Sequence, residues 1–332
     1  MLQQTTALIC GFWNVDGRPA SEGLLEAMAE QTFLLPGAEQ EALLSGPVGL
    51  VTARRLRGAP ARPTSAPQRA PENSARRLLA FAGRLDNRAK LASQGLTGSD
   101  REMILGAYER WGTGAVERIE GDFVFALWDP AERRLVCARD AVGVRTLYFR
   151  FDGRTFSFGS QLRHLTPRAQ SLPSFDENYF AHFLLEGDPH LTLTPFQGIE
   201  KLPAGHLLVV DEGGLRRERW WRPEEQEKIH YADDSEYAEH FLELFRSSVA
   251  ARLEAEGPVW SELSGGLDSS SIVCMAREIY RSGGVEQPDF TTLTAIFEDP
   301  RSGDAPEYYR SVIERCGFKS ETSVADARDL FE

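Results

Sequence analysis

The chain has 332 residues, 42% of them hydrophobic and 26% charged, a balance that suits a folded protein with enough apolar surface for two domains. Its formal net charge is −13, from 50 acidic residues against 37 Lys plus Arg, which argues against a nucleic-acid or anionic-membrane surface. No apolar run approaches the ~20 residues of a membrane span, and no basic stretch precedes the first apolar one, so a cytoplasmic setting is expected.

Runs rich in β-formers predict strands over Ala7–Asn14, Val48–Arg55, Leu78–Gly83, Val124–Asp129, Leu135–Arg139, Thr146–Phe151 and Thr155–Gly159. Helical spacing appears over Leu24–Thr32, Asp100–Trp111 and Glu177–Leu185. Two sheets with flanking helices fit this order. Gly58–Ser74, with Pro60, Pro63, Pro67 and Pro71, predicts an exposed loop holding no regular element. A hairpin over Gly205–Trp221 closes the first domain, residues 1–221, and a charged, Pro-containing linker follows at 222–236. The second domain, 237–332, begins with a helix over Tyr237–Leu253. A strand over Pro258–Leu263, a helix over Ser269–Ile279 and a strand over Thr291–Phe297 then make a βαβ unit. Ser320–Glu332 is expected to have no neighbouring strand, leaving the edge of Thr291–Phe297 open.

The cysteines Cys10, Cys137, Cys274 and Cys316 are widely spaced, mostly in apolar stretches, and read as reduced core thiols. The histidines form no metal-ligand pattern.

The most informative stretch is Ser264-Gly-Gly-Leu-Asp-Ser-Ser270, between the Pro258 strand and the helix behind it. Adjacent glycines let backbone N–H groups converge on one concavity, and a helix N-terminus adds partial positive charge, so an anion is favoured without any Lys. Ser264, Ser269 and Ser270 offer hydroxyls. Asp268 would repel a phosphate unless a cation such as Mg²⁺ lay between them. The plain alternative is a Ser/Gly turn whose helix is capped by Asp268 or Ser269.

This heptapeptide resembles the signature loop of the ATP pyrophosphatases, and the longer string Trp260-Ser-Glu-Leu-Ser-Gly-Gly-Leu-Asp-Ser-Ser-Ser-Ile-Val resembles the asparagine-synthetase branch. Thr97-Gly-Ser-Asp100, Ile119-Glu-Gly-Asp-Phe-Val-Phe-Ala-Leu-Trp-Asp129, Ala138-Arg-Asp-Ala-Val-Gly-Val-Arg-Thr-Leu-Tyr148, Phe156-Ser-Phe-Gly-Ser160 and Gly198-Ile-Glu-Lys-Leu-Pro-Ala-Gly-His206 are similar to that family's glutaminase domain. The resemblance implies an α+β, N-terminal-nucleophile-hydrolase-like αββα sandwich followed by an α/β Rossmann-like ATP pyrophosphatase domain, here incomplete. It also implies cleavage of ATP between its α and β phosphates with Mg²⁺, and adenine contacts at Leu263 and Ile296, which read equally as core residues.

The departures carry more weight. Family glutaminases use a cysteine exposed at the mature N-terminus, and alignment on Gly11 and Asn14 places Ala7 there. Cys10 lies further into the strand and is expected to pack inward. The family's F-N-G-E segment reads Phe81-Ala82-Gly83-Arg84, so Ala82 replaces the oxyanion-stabilising Asn; loss of one such donor costs ~10²- to 10³-fold in rate. Arg55 and Asp100 are then remnants of the glutamine pocket. A threonine nucleophile at Thr6, exposed by trimming, is the runner-up.

An inactive glutaminase beside an intact ATP loop resembles β-lactam synthetases and lasso-peptide macrolactam synthetases, which activate a carboxylate as an acyl-adenylate and close a ring with an amine. The family's second acidic metal-binding segment and its later Lys are not found between Ser271 and Glu332. A separate C-terminal half, or a partner delivering a precursor peptide, is therefore expected. The alternatives are asparagine synthesis from aspartate and ammonia, and a non-catalytic fragment or binding partner.

Overall fold

The computed structural model describes residues 7–31, 38–54, 68–69, 76–166, 173–186, 192–225, 228–254, 257–283, 289–297 and 306–324. The chain divides into two compact units, 4–226 and 227–332, the latter with residues 1–3.

In the first unit the chain runs through β1 (Ala7–Asn14), α1 (Glu22–Glu30), β2 (Glu39–Ser45), β3 (Val48–Arg54), β4 (Gln68–Arg69), β5 (Leu78–Leu85), α2 (Arg88–Ser93) and α3 (Asp100–Trp111). It continues with β6 (Gly121–Asp129), β7 (Arg134–Arg139), β8 (Tyr148–Phe151), β9 (Thr155–Gly159), α4 (Glu177–Glu186), β10 (Glu200–Lys201), β11 (His206–Asp211) and β12 (Gly214–Arg219). A seven-stranded sheet has the order β10-β8-β9-β1-β3-β2-β4, and a five-stranded sheet the order β12-β11-β7-β6-β5.

Strand alternation distributes the side chains into four layers. Ile9, Trp13, Leu50, Phe156 and Phe158 from the first sheet meet Leu78, Ala80, Val124, Ala126 and Leu208 from the second in a dry inter-sheet core. Trp13 packs against Trp128 across it, ring centroids 5.0 Å apart. The outer face of the first sheet buries Cys10, Phe12 and Val51 under Leu25 and Met28 of α1. The outer face of the second buries Phe81, Phe125 and Val136 under Met103, Ile104 and Ala107 of α3. This is the αββα sandwich the sequence leads one to expect.

Two of the motifs in this unit serve the fold. In Ala138-Arg-Asp-Ala-Val-Gly-Val-Arg, the fully buried Asp140 accepts hydrogen bonds from the N–H groups of Gly143 (2.6 Å), Val144 (2.9 Å) and Arg145 (2.9 Å). Arg139 donates to the carbonyls of Leu202 (2.6 Å) and Gly143 (2.7 Å), so the loop is clamped by its own charges. In Phe156-Ser-Phe-Gly-Ser160, the Ser160 hydroxyl accepts from Ile9 N (3.0 Å) and donates to Ile9 O (3.2 Å), fixing the end of β9 to the start of β1.

The second unit contains α5 (Asp234–Leu253), β13 (Val259–Glu262), α6 (Leu267–Arg281), β14 (Phe290–Ile296), α7 (Pro306–Cys316) and β15 (Lys319–Val324). The strands form a parallel sheet in the order β13-β14-β15. Val249 and Leu253 of α5, Val273, Ala276 and Ile279 of α6, and Tyr309 and Cys316 of α7 share one core with Val259, Leu263 and Phe290. This is the α/β arrangement anticipated for the region.

Four expectations need correction. Residues 234–236 belong to α5 rather than to a linker, because Asp233 and Glu236 form a reciprocal capping box that starts the helix there. The edge of β14 is covered, since Lys319–Val324 pairs along it as β15 despite its polar sequence. Glu39–Ser45 was not predicted as a strand, yet it pairs antiparallel along the whole of β3, tertiary pairing overriding the helix-forming Glu, Gln, Ala and Leu. Within the Pro-rich stretch, Gln68–Arg69 pairs with β2, and residues 58–67 and 70–74 lie outside the described residues.

His164, in the 3-10 turn Leu162–Leu165, is wholly buried, and among the described residues neither ring nitrogen has a hydrogen-bond partner. Burial pushes its pKa from the ordinary 6.5 down to about 4; the nearby Ile9 backbone, too poorly aligned to count as a hydrogen-bond partner, acts in the opposite direction. The folded state therefore favours the neutral ring, while the unfolded chain takes up a proton first. Stability from this group is full above the unfolded pKa and is lost as pH falls from about 6.5 through about 4, by about 3 kcal/mol in all. Thermal melts across that window should show the melting temperature falling with pH, and His164→Leu should flatten the dependence. A slope unchanged by the substitution would place the acid sensitivity elsewhere.

Candidate functional site

The loop between β13 and α6 is built by its glycines and serines. Gly265 sits at φ +85°, and a Cβ there would stand 3.0 Å from the backbone N of Tyr309 and 3.1 Å from Cβ of Tyr308. Only a residue without a side chain fits this backbone against the first turn of α7. Gly266 is the N-cap of α6 in an extended conformation, and no side chain caps the helix. Neither Asp268 nor Ser269 serves as the cap, so the plain reading of this stretch as a capped turn is not met.

The hydroxyls brace the loop from within. Ser264 Oγ accepts from Gly266 N (3.3 Å) and lies 3.1 Å from Ser269 Oγ, which accepts from Ser264 N (3.2 Å) and donates to Gly266 O (3.3 Å). Ser270 N already donates to Gly266 O (3.1 Å) within the helix. The N–H groups of the first turn have no intrahelical acceptor. Ser264, Gly266 and Asp268 are exposed, so solvent or an anion reaches them.

Leu263 is fully buried in the core of this unit, its N–H donating to Leu293 O (2.9 Å) and its carbonyl accepting from the Thr294 hydroxyl (2.7 Å). Its side chain is a core residue. Ile296 is half-buried against the same core, at the end of the neighbouring strand. Among the described residues no group of three or more His, Cys, Asp and Glu stands together to hold a metal. Among the described residues of Ser264–Ser270, Asp268 is the one that carries a carboxylate. One carboxylate suits Mg²⁺ held mostly by phosphate oxygens and water, and does not make a protein-only cage.

Ala7 and Ala82, the two positions that the sequence aligns with a nucleophile and an oxyanion donor, are buried and apolar. Ala7 starts β1, buried and paired with Arg54; Ala82 is fully buried in β5 opposite Val124; and both line the inter-sheet core. Cys10, an odd number of residues from Ala7, faces the other side of the sheet under α1, and complete burial pushes its thiol far up. Asp100 accepts from Leu85 N (3.1 Å) through one carboxylate oxygen and from Arg88 through the other. Both oxygens thus tie β5 to the starts of α2 and α3. Arg84, in place of the family's Glu, pairs with Asp86 at 2.7 Å. Arg55 and Thr6 lie outside the described residues.

Comparisons with known proteins agree with this division. A glutamine amidotransferase domain model matches residues 59–221 and an asparagine synthase model matches residues 240–332. Asparagine synthetase (glutamine-hydrolyzing) 3 of Bacillus subtilis is 30% identical over 187 residues, 56% of this chain and 30% of that one. Asparagine synthetase (glutamine-hydrolyzing) of Zea mays is 31% identical over 183 residues, 54% of this chain and 26% of that one. The chain thus spans about a third or less of the length of these two relatives. A solved glutamine phosphoribosylpyrophosphate amidotransferase from Bacillus subtilis aligns with 96% of this chain and 80% of its own, at 14% identity and a TM-score of 0.43, too distant to carry an argument. The chain belongs to the asparagine synthetase family. Among its described residues no helix is long and apolar enough to cross a membrane.

The Gly265 geometry yields a direct test. Gly265→Val places a branched side chain at positive φ against the α7 backbone, a strain of about 1–3 kcal/mol. Affinity for inorganic pyrophosphate, read by calorimetry, should fall by ~10-fold or more. Unchanged affinity in a folded variant would remove this loop from any anion site.

Proposed function

We propose that the 227–332 unit carries the pyrophosphate-binding part of an ATP-dependent, amide-forming ligase, and that the 4–226 unit does not hydrolyse glutamine. The observation that carries the first half is the uncapped N-terminus of α6 behind Gly265 and Gly266, in a chain of the asparagine synthetase family. A carboxylate oxygen of the substrate attacks the α-phosphorus of ATP, pyrophosphate departs, and an amine then displaces AMP from the acyl-adenylate. The loop's role falls in the first step. N–H groups of the first turn of α6, fixed in place before the reaction begins, take up charge building on the leaving pyrophosphate, and the Ser264 hydroxyl turns to join them while Ser269 braces the loop. Mg²⁺ bound to the phosphates would neutralise the remaining charge, with Asp268 as its protein ligand.

The second half rests on Ala7 and Ala82. With a methyl group at each position and Cys10 facing the opposite layer, the described residues offer no thiolate and no Asn amide at the former glutaminase centre. The amine then comes from a source other than glutamine. An amine on the carboxylate-bearing molecule itself, closing a ring of lasso-peptide or β-lactam type, is the reading this loss supports. Aspartate with free ammonia is the second reading, favoured by the names of the relatives. Further polypeptide, joined or separate, would supply the remaining acid and lysine, and a peptide substrate would bring its own delivery partner.

Two measurements check these halves separately. Calorimetry of the whole chain should show weak ATP binding that strengthens with Mg²⁺, and Asp268→Ala should abolish the strengthening. Equal Mg²⁺ dependence in both proteins would exclude Asp268 as a ligand. Incubation with glutamine should release no glutamate above a protein-free control. Release that scales with protein and vanishes in Cys10→Ala or Thr6→Ala would restore the glutaminase.

A further inference from the structure

Two thiols of the second unit meet across neighbouring helices. Cys274, one turn past Ser270 on α6, and Cys316, the last residue of α7, stand Sγ to Sγ at 3.9 Å, in contact but unbonded. The two sulfurs come from residues 42 positions apart. A disulfide needs them at about 2.05 Å, a closure that rotation about both Cα–Cβ bonds can share. The pair is also asymmetric, Cys274 being half-buried and Cys316 buried. Solvent-borne reagents therefore reach Cys274 first, with Cys316 directly behind it.

We propose that Cys274 and Cys316 form an oxidation site, a disulfide-forming pair that clasps α6 to α7 when a small-molecule disulfide of the oxidised-glutathione class is present. The Cys274 thiolate attacks one sulfur of the reagent, the reagent's S–S bond breaks, and one reagent thiolate leaves and takes up a proton. The Cys316 thiol then gives its proton to solvent and attacks Cys274 Sγ, displacing the second reagent thiolate, which is protonated in turn. Two protein thiols are oxidised and one reagent disulfide is reduced to two thiols.

The surroundings assign the order of events. Burial and the neighbouring Cys274 push the Cys316 thiol up to about 11, so it does not lead the attack. The charges of Arg277 and Arg315 act on it in the opposite direction and favour its thiolate in the closing step. Cys10 and Cys137 lie fully buried in separate cores of the other unit, their thiols raised by desolvation alone. The site is therefore selective among the four cysteines. The bond would close a ring from residue 274 to residue 316 that contains β14 and α7, restricting the unfolded chain more than the folded one.

The test uses the whole wild-type chain under native conditions. It is exposed to oxidised glutathione, quenched with an alkylating reagent and read by peptide mass spectrometry. The expected product is a linked Cys274–Cys316 peptide pair, reversed by dithiothreitol, with Cys10 and Cys137 alkylated only after denaturation. Cys316→Ser should stop at a glutathione adduct on Cys274, and the oxidised wild type should melt at a higher temperature than the reduced form. A wild-type protein that accumulates the Cys274 adduct without the linked pair would overturn the proposal. So would one in which no cysteine reacts, or one in which all four react at the same rate.

Discussion

The period of two along β1 is the constraint on which the reading of the first unit depends. That strand is central in its sheet and lies between two dry cores, so each residue has one available layer. Ala7, Ile9 and Trp13 face the second sheet; Cys10 and Phe12 face α1. A cysteine three positions from the expected nucleophile therefore cannot substitute for it without flipping the whole strand, which would exchange Ile9 and Trp13 with Cys10 and Phe12 between two close-packed cores. Ala82 reaches the same inter-sheet core from β5. Ala7 and Ala82 put only methyl groups into that core. The charges of this unit are engaged in the fold: Asp140 and Arg139 bond to backbone groups of the loop that follows β7, and Asp100 bonds to Leu85 N and to Arg88.

The second unit places its chemistry by a different device. β13 ends at the buried Leu263, whose backbone is held by Leu293 and Thr294 of the neighbouring strand. The chain then turns through Gly265, close against α7, and enters α6 with no side chain over its first turn. A tight turn, close backbone approach and an open helix N-terminus together favour an anion. The same packing of α6 beside α7 brings Cys274 to Cys316. The anion loop and the thiol pair are thus two products of one helix interface.

Much of this was legible in the sequence, for identifiable reasons. β1, β9 and α3 were predicted with their observed boundaries because their apolar spacing is regular and their flanking residues end the pattern. The loop was legible because its requirements fall on the backbone, and two adjacent glycines after an apolar strand state them directly. What escaped was decided by partners distant in the chain. Glu39–Ser45 carries helix formers and is a strand only because β3 lies beside it, and Lys319–Val324 has too little apolar alternation to announce an edge strand. The commitment of Asp100 to Leu85 and Arg88 is likewise invisible without the fold. α7, by contrast, had a usable signal in Pro306 at its first position and apolar residues at Tyr309, Val312 and Ile313, spaced for one face.

The proposed function puts the anion site of this chain at the β13–α6 loop and none at β1 and β5. Hydrogen exchange followed by mass spectrometry, with and without Mg²⁺ and pyrophosphate, tests it most directly, because it reports where the amides are covered without requiring turnover. Slowed exchange is expected in peptides spanning Ser264–Ser270, with β1 and β5 unchanged. Protection in β1 and β5, with none at Ser264–Ser270, would contradict it.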